Sequence, residues 1–179
     1  MQFKATIMEE DDVARALKRI SHQILEHHKG CEDVVLLGIR SRGVPLAQIL
    51  RDNITAIDGV SLPVGSLDIT LYRDDLEHDS GDPVVNGSQV DFPVEGMHVI
   101  LVDDVLYTGR TARAAMEAVM NMGRAASIEL AVLVDRGHRE LPIRADYVGK
   151  NVPTSGKEIV SVKISQYDGL TRVDIYENA

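Results

Sequence analysis

The sequence has one cysteine, no tryptophan and no apolar run long enough for a membrane helix, which needs roughly 20 residues. Cys31 therefore has no partner for an intrachain disulfide. The first twelve residues, MQFKATIMEEDD, are acidic and polar, whereas a secretory signal is basic and then apolar. We therefore expect a cytoplasmic protein with no membrane partner.

Positive charge is also scarce, since the chain has 19 Lys and Arg but 28 Asp and Glu, which gives a net charge of −9. The mean field of such a protein repels phosphates, so the chain is not expected to coat nucleic acid non-specifically. A local basic face is still compatible with this composition. With only 5 Tyr and 2 Phe, stacking on nucleobases would be limited.

Apolar periodicity alternates between helical and strand spacing, which predicts an α/β domain, and 179 residues suit a single one. The first helix should begin between Glu9 and Asp12 and end before Gly30. A buried strand is expected over Val34–Ile39, followed by a helix with Pro45 in its first turn that continues to about Asn53. Further strands are predicted at 65–72, 99–102, 128–134, near Tyr147, at 159–164 and at 173–176, and a helix at 112–122 before Gly123. The polar stretch 73–96 should be a loop or hairpin outside the core.

Two adjacent carboxylates, Asp103 and Asp104, follow the predicted strand at 99–102 and precede the small polar turn 108–111. Ligands bind at such strand ends in open α/β sheets, and backbone N–H groups at a helix start hold phosphate. The carboxylates would repel a phosphate, so they suit ribose hydroxyls or a Mg²⁺ ion. The plain alternative is that Asp104 only caps the following helix. The spacing is not that of a Walker A loop.

The thirteen residues from Val99 to Thr111 resemble the phosphoribosyl pyrophosphate (PRPP) signature of type I phosphoribosyltransferases. The likeness extends through Leu71–Leu76 and Val132–Thr154, where it resembles the bifunctional pyrimidine operon regulators that are also uracil phosphoribosyltransferases. It implies one domain over residues 1–179 with a mostly parallel central sheet flanked by helices. A hood formed mainly by about 136–179 and a mobile lid over about 73–96 would complete it.

The resemblance also implies roles for single residues. Arg73, Asp103 and Asp104 would be catalytic, with Mg²⁺ near the two carboxylates. Read as residues alone, 40–43 could be an exposed basic turn, 73–82 a solvated hairpin and Val160 an ordinary core residue. Tyr107 stands where purine-using relatives often have an acid, which disfavours a purine substrate. The expected contacts to PRPP or UMP are Arg40, Ser41, Asp103, Asp104, Val105, Leu106, Tyr107, Thr108, Gly109, Arg110, Thr111, Arg136, Ile159 and Val160.

Basic residues are concentrated in two places. On the first helix they lie opposite the apolar face, and a second group follows the strand at 128–134. Such a face is usually only solvated, but the resemblance implies that it binds leader RNA. The residues expected to contact RNA are Arg15, Lys18, Arg19, His22, His138, Arg139, Arg144 and Lys150. No metal site is expected at His27-His28, which lacks partners at ligand spacing.

The resemblance therefore predicts that uracil and PRPP give UMP and pyrophosphate with Mg²⁺, and that the protein binds the leader mRNA of pyrimidine operons when UMP fills the site. UMP and UTP are the expected nucleotide partners, and the control would act either on transcription, as in attenuation, or on translation. The alternatives are an enzyme without RNA regulation, a nucleotide-sensing RNA-binding protein without turnover, and a transferase for another base. A homodimer or homotetramer is expected from the resemblance.

Overall fold

A computed structural model describes residues 1–72 and 87–178. The predicted catalytic Arg73 and most of the predicted lid at 73–96 lie outside these residues. A short 3-10 turn occupies Thr70–Tyr72. In chain order the elements are β1 (Gln2–Met8), α1 (Glu10–His28), β2 (Val34–Ile39), α2 (Gly43–Asp58), β3 (Val64–Leu67), β4 (His98–Leu106), α3 (Arg110–Met122), β5 (Ser127–Asp135), β6 (Tyr147–Asn151), β7 (Glu158–Lys163), α4 (Ser165–Asp168) and β8 (Arg172–Glu177).

The main sheet has five strands in the order β3-β2-β4-β5-β6, and all its pairs are parallel. All six residues of β2 are buried because helices cover both faces. Leu36 on one face packs in a cluster with the apolar sides of α1 and α2, while Leu37 on the other packs in a cluster with α3. The predicted α/β fold with a mostly parallel sheet is thereby confirmed.

A second, antiparallel sheet joins the two ends of the chain in the order β1-β8-β7. Its composition differs from the predicted hood over about 136–179, because β6 belongs to the main sheet and β1 comes from the N-terminus. The sequence pattern predicts no strand over residues 2–8. These residues pair with a strand more than 160 positions away, since Gln2 faces Glu177, and a local pattern does not reveal so distant a partner.

Four boundaries differ from the sequence prediction. β4 runs through the acidic pair to Leu106, α2 continues to Asp58, α3 begins at Arg110, and β3 ends at Leu67. The prediction that residues 73–96 stay out of the core is also wrong in part. Val94 is only 2% exposed, and Phe92 packs against the α3 side of the core. These apolar side chains attach the end of the segment to the core, although the segment as a whole is polar.

Two glycines allow the start of α2 to lie directly on the sheet. A Cβ atom added to Gly38 would lie 2.5 Å from the Cα of Val44, and one added to Gly43 would lie 2.2 Å from the carbonyl oxygen of Val102. Backbone therefore packs against backbone here. This contact fixes the loop between β2 and α2 beside the end of β4, where Asp103 lies 3.4 Å from the same added atom.

The substitution Gly43→Ala should lower the free energy of unfolding by about 1–3 kcal/mol, because the new methyl group overlaps a backbone carbonyl that has no room to move. This loss exceeds the gain in helix propensity of at most about 1 kcal/mol. Urea denaturation measures the change. Gly156→Ala is the matched control, since nothing lies within 4 Å of its added Cβ atom. Equal stability of the two variants would contradict the packing argument.

Candidate active site

The carboxyl ends of β2, β3 and β4 meet at one edge of the main sheet and surround a cavity of about 550 Å³. The cavity brings basic and acidic side chains together around a polar floor. It is lined by Ile39, Arg40, Ser41, Arg42, Asp68, Ile69, Thr70, Asp103, Asp104, Val105 and Thr111. The structure thus brings together the predicted loop at 40–41 and the predicted acidic pair, which are about sixty residues apart in sequence.

Asp103 and Asp104 lie within the last residues of β4 rather than after it. Oδ1 of Asp103 accepts a hydrogen bond from the backbone N–H of Asp104 at 2.9 Å, and Oδ1 of Asp104 accepts one from Val105 at 2.8 Å. Neither bond caps α3, whose N-cap residue is Gly109. The alternative that Asp104 merely caps the helix is therefore not what the structure shows.

The turn from Tyr107 to Gly109 connects β4 to α3 and borders a second cavity of about 350 Å³. Gly109 has φ of 94°, a left-handed conformation that side chains disfavour, and a Cβ atom added there would lie 3.3 Å from Ile143. The hydroxyl of Thr108 accepts a hydrogen bond from the N–H of Arg110 at 3.3 Å. The two cavities share the lining residues Asp103, Val105 and Thr111, so they adjoin there, and we refer to the pair as the cleft.

The chain after β5 covers this turn. The N–H of Glu140 donates to the carbonyl of Thr108 at 2.9 Å, and the carboxylate of Glu140 pairs with Nε of Arg110 at 2.8 Å. The N–H of Arg136 donates to the carbonyl of Leu106 at 3.1 Å. These bonds hold residues 136–140 in place against the cleft.

Sequence reasoning missed Asp68 and Thr70, which line the cleft beyond β3. Asp68 accepts hydrogen bonds from the hydroxyl of Thr70 at 2.7 Å and from its N–H at 3.1 Å. These bonds hold the pKa of Asp68 below its ordinary value. Asp68 therefore carries a stable negative charge at the rim of the cleft. An acid followed two positions later by a hydroxyl residue at a strand end was the available signal.

The loop at 40–42 is tied to the antiparallel sheet. The peptide bond between Arg40 and Ser41 is cis. The guanidinium of Arg42 pairs with Oδ1 of Asp168 at 2.8 Å, and the hydroxyl of Tyr167 donates to the carbonyl of Ser41 at 3.4 Å. The N–H of Ile164 donates to the other oxygen of Asp168, which lowers the pKa of that carboxyl. These contacts to α4 could not be read from the sequence.

Arg136 is 6% exposed, and its guanidinium carbon lies 4.0 Å from the centre of the Tyr107 ring. Its Nη2 donates to the carbonyl of Ser155 at 3.3 Å. On β7, Val160 is partly buried against the same core cluster as Val105, and Ile159 points to the opposite face of its sheet. Arg136 thus contacts Tyr107, a residue that lines the second cavity, and its predicted contact with the base stays a prediction.

Two buried side-chain nitrogen atoms lack a hydrogen-bond partner among residues 1–72 and 87–178, and they are Nε of Arg42 and Nε of Arg136. Buried polar atoms in native proteins are nearly always satisfied. Arg42 lines the cavity at the ends of β2–β4, and Arg136 contacts Tyr107, which lines the second cavity.

The basic side chains of α1 are exposed and lie beside β6. Arg19 donates to the carbonyls of Val148 and Gly149, and Lys150 on β6 donates to the carbonyl of Ile7. Arg144 lines a cavity of about 530 Å³ that also involves Gln23 of α1. Arg19 of the first predicted basic group thus lies next to Lys150 of the second, and Arg144 lines a cavity with the same helix and with Asp135 and Asp146. We refer to the eight predicted RNA contacts together as the basic surface.

Two members of this basic surface also have structural contacts. Arg139 donates to the carbonyl of Tyr107 at 2.7 Å and pairs with Asp135 at 2.5 Å. His138 hydrogen-bonds the carbonyl of Thr154 at 2.6 Å, and its ring lies edge-on to Tyr107 with centroids 5.9 Å apart. His138 is thus beside both the basic surface and the cleft.

None of the helices in the described part of the chain has the length and apolar character to cross a membrane.

Comparison with known proteins identifies the protein family to which the chain belongs. Residues 5–166 match the family described as Phosphoribosyl transferase domain. The chain therefore belongs to the phosphoribosyltransferase family.

The sequence relatives place the chain in a subgroup of this family. The chain is 57% identical over 178 residues to the Bifunctional protein PyrR of Clostridium perfringens, covering 99% of this chain and 100% of the relative. It is 58% identical over 177 residues to that of Clostridioides difficile, with coverage of 99% and 100%. Within the family, the chain groups with these PyrR proteins.

Solved structures agree on the fold. The hypoxanthine phosphoribosyltransferase of Trypanosoma cruzi superposes with a TM-score of 0.76 at 19% identity, covering 99% of this chain and 98% of that one. The enzyme of the same name from Staphylococcus aureus gives 0.75 at 20% identity, with 98% and 92% covered. At these identities the likeness concerns the fold alone.

Proposed function

We propose that this protein transfers the phosphoribosyl group of PRPP to uracil, giving UMP and pyrophosphate, and that it binds pyrimidine operon leader RNA in a UMP-dependent way. The observation that carries the first half is the cleft in which the acidic pair Asp103 and Asp104 lies beside the basic loop at 40–42. The identity to proteins named bifunctional supports the pairing of two activities.

The reaction replaces the pyrophosphate on ribose C1 with a nitrogen of the base, through a transition state with oxocarbenium character. The turn at 108–111 offers N–H groups and hydroxyls at the start of α3, which suits the 5′-phosphate. Asp103 and Asp104 suit the ribose hydroxyls next to it. Arg40, Ser41 and Arg42 then face the other end of the sugar, where pyrophosphate leaves with its negative charge stabilised.

Mg²⁺ fits the donor set of this cleft. Asp68, Asp103 and Asp104 line the same cavity, and Mg²⁺ prefers carboxylate oxygens together with substrate phosphates. The ion, when bound with PRPP, would neutralise pyrophosphate charge, while these residues orient the sugar. The predicted catalytic Arg73 stays a prediction.

Uracil would lie between the cleft and β7. Its ring presents alternating C=O and N–H groups, which suit main-chain partners at Ile159 and Val160. Nε of Arg136 is an unused donor for a uracil carbonyl. Tyr107, held under the Arg136 guanidinium, has no proton acceptor comparable to a carboxylate, which favours a pyrimidine over a purine.

Asp103→Asn and Asp104→Asn should each lower uracil-dependent pyrophosphate release by at least about tenfold, because a neutral amide accepts hydrogen bonds from ribose hydroxyls more weakly and binds Mg²⁺ poorly. The assay is a coupled pyrophosphate measurement on the parent and both variants. Unchanged activity in both variants would remove the acidic pair from the mechanism. Turnover of hypoxanthine in place of uracil would instead correct the choice of base.

Asp168→Asn should raise KM for PRPP by up to about fivefold and change kcat little, because a partly exposed ion pair contributes at most about 1 kcal/mol. The pair positions Arg42 before the substrate binds, so its loss affects binding more than chemistry. Steady-state kinetics at saturating uracil separates the two constants. Asp52→Asn is the control, since Asp52 forms a surface pair with Arg51 at 3.1 Å. Equal effects of the two substitutions would contradict the positioning role.

The proposed RNA surface combines basic residues of α1 with basic residues that follow β5, namely Arg15, Lys18, Arg19, His22, His138, Arg139, Arg144 and Lys150. In a chain of net charge −9, a basic surface of this kind favours a specific phosphate partner. Hydrogen bonds and phosphate contacts should dominate over stacking, since the chain has few aromatic side chains. A cytoplasmic location and assembly into dimers or tetramers stay predictions.

Lys18→Gln and Arg144→Gln should weaken binding to pyrimidine leader RNA and reduce the salt slope of log K by roughly one per lost phosphate contact, with uracil turnover retained. Arg124→Gln is the control, an exposed arginine in the connection between α3 and β5 that is not one of the predicted RNA contacts. Titrations with and without UMP should show that each ligand tightens the other by the same factor. Independent affinities would refute the regulatory proposal while leaving the enzymatic one intact.

A further inference from the structure

A second cluster of ligand-type side chains lies away from the cleft, near the amino end of β5. His27 and His28 end α1, and Glu129 is the third residue of β5. Nε2 of His28 lies 2.6 Å from Oε2 of Glu129, and Nε2 of His27 lies 3.4 Å from Oε1. The expectation that His27-His28 lacks partners is therefore wrong, because the fold brings in a residue about one hundred positions away.

The three side chains offer one ligand atom each, and these atoms all lie within 4.8 Å of one another. Two imidazole nitrogens and a carboxylate oxygen form a donor set that zinc and similar transition metals prefer. Mg²⁺ favours oxygen ligands instead, so this cluster suits a different ion from the one proposed for the cleft.

The surroundings hold the carboxylate in place. The hydroxyl of Tyr147 on β6 donates to Oε1 of Glu129 at 2.8 Å. An outer hydrogen bond of this kind orients a metal-binding carboxylate. Nδ1 of the nearby His98 hydrogen-bonds Ser127 at 2.7 Å, and the group of mutually close ligand atoms comprises only His27, His28 and Glu129 among the described residues.

The three side chains differ in their exposure to solvent. The side chains of His28 and Glu129 are 8% and 10% exposed, whereas that of His27 is 65% exposed. The cluster thus has a buried base and an open side through which an ion could exchange ligands with water. An ion that replaced the hydrogen bond between His28 and Glu129 would leave the buried carboxylate paired with positive charge.

We propose that His27, His28 and Glu129 form a binding site for one divalent transition metal ion of the zinc type, which fastens the last turn of α1 to β5. The site is separate from the phosphoribosyl cleft, and the proposal does not depend on the transferase or RNA activity. Its fourth ligand is water on the side of His27.

The test is titration of metal-free protein with Zn²⁺ by calorimetry, and with Co²⁺ by visible absorption, whose intense bands report tetrahedral nitrogen and oxygen coordination. We expect one ion per chain, and His27→Ala should weaken binding at least about tenfold. Zn²⁺ should also raise the Tm of the parent more than that of the variant. His27→Ala is expected to fold, since the side chain is largely exposed.

His22→Ala is the matched control, an exposed histidine on the same helix outside the cluster. Glu129→Gln, with folding checked by circular dichroism, removes the charge but keeps the shape and should abolish the Co²⁺ bands. Absence of stoichiometric binding at micromolar Zn²⁺ overturns the proposal. Equal affinity of the parent and the His27→Ala variant overturns it as well, because the ion would then be bound elsewhere.

Discussion

The contact of the Gly43 backbone with the end of β4 is the constraint on which the cleft depends. Parallel pairing already brings the carboxyl ends of β2, β3 and β4 to one edge, but pairing alone leaves the intervening loops free to stand away from it. With no side chain at Gly38 or Gly43, α2 starts directly against the sheet, and the loop at 40–42 must pass beside Asp103. The acidic pair and the basic loop are therefore adjacent before any ligand arrives.

The antiparallel sheet adds a second restraint, because it ties both ends of the chain to this loop. Its stability rests on a buried charge: Asp174 is fully buried and accepts hydrogen bonds from Thr6, Lys163 and Arg172, which together hold its pKa below the ordinary value against the cost of burial. These bonds join β1, β7 and β8, and α4 extends from that sheet to Arg42 and Ser41. Arg42 is thus connected to the N-terminal strand β1 through α4 and the antiparallel sheet.

Sequence patterns predicted the elements whose partners are periodic and local. β2 and the first part of β4 were predicted because continuous apolar residues need cover on both faces, and α1 because its apolar side repeats at helical spacing. β1 was missed because it pairs with the far end of the chain. The extension of β4 through Asp103 and Asp104 was missed because two charges in a strand contradict propensity, and a ligand site is where such a contradiction is expected. Pairs such as Arg42 with Asp168, or His28 with Glu129, depend on tertiary proximity and leave no mark in the sequence.

The two proposed activities meet physically at Tyr107. Its ring lies under the Arg136 guanidinium on the side of the cleft and edge-on to His138 on the side of the basic surface, while its carbonyl accepts a hydrogen bond from Arg139. Reciprocal linkage between two ligands requires an element whose state both of them bias. Because Tyr107 contacts residues of both proposed sites, it is the candidate for that element. Coupling between nucleotide binding and RNA binding would then require a change only in the mobility of the turn from Tyr107 to Gly109, and no rearrangement of the sheets.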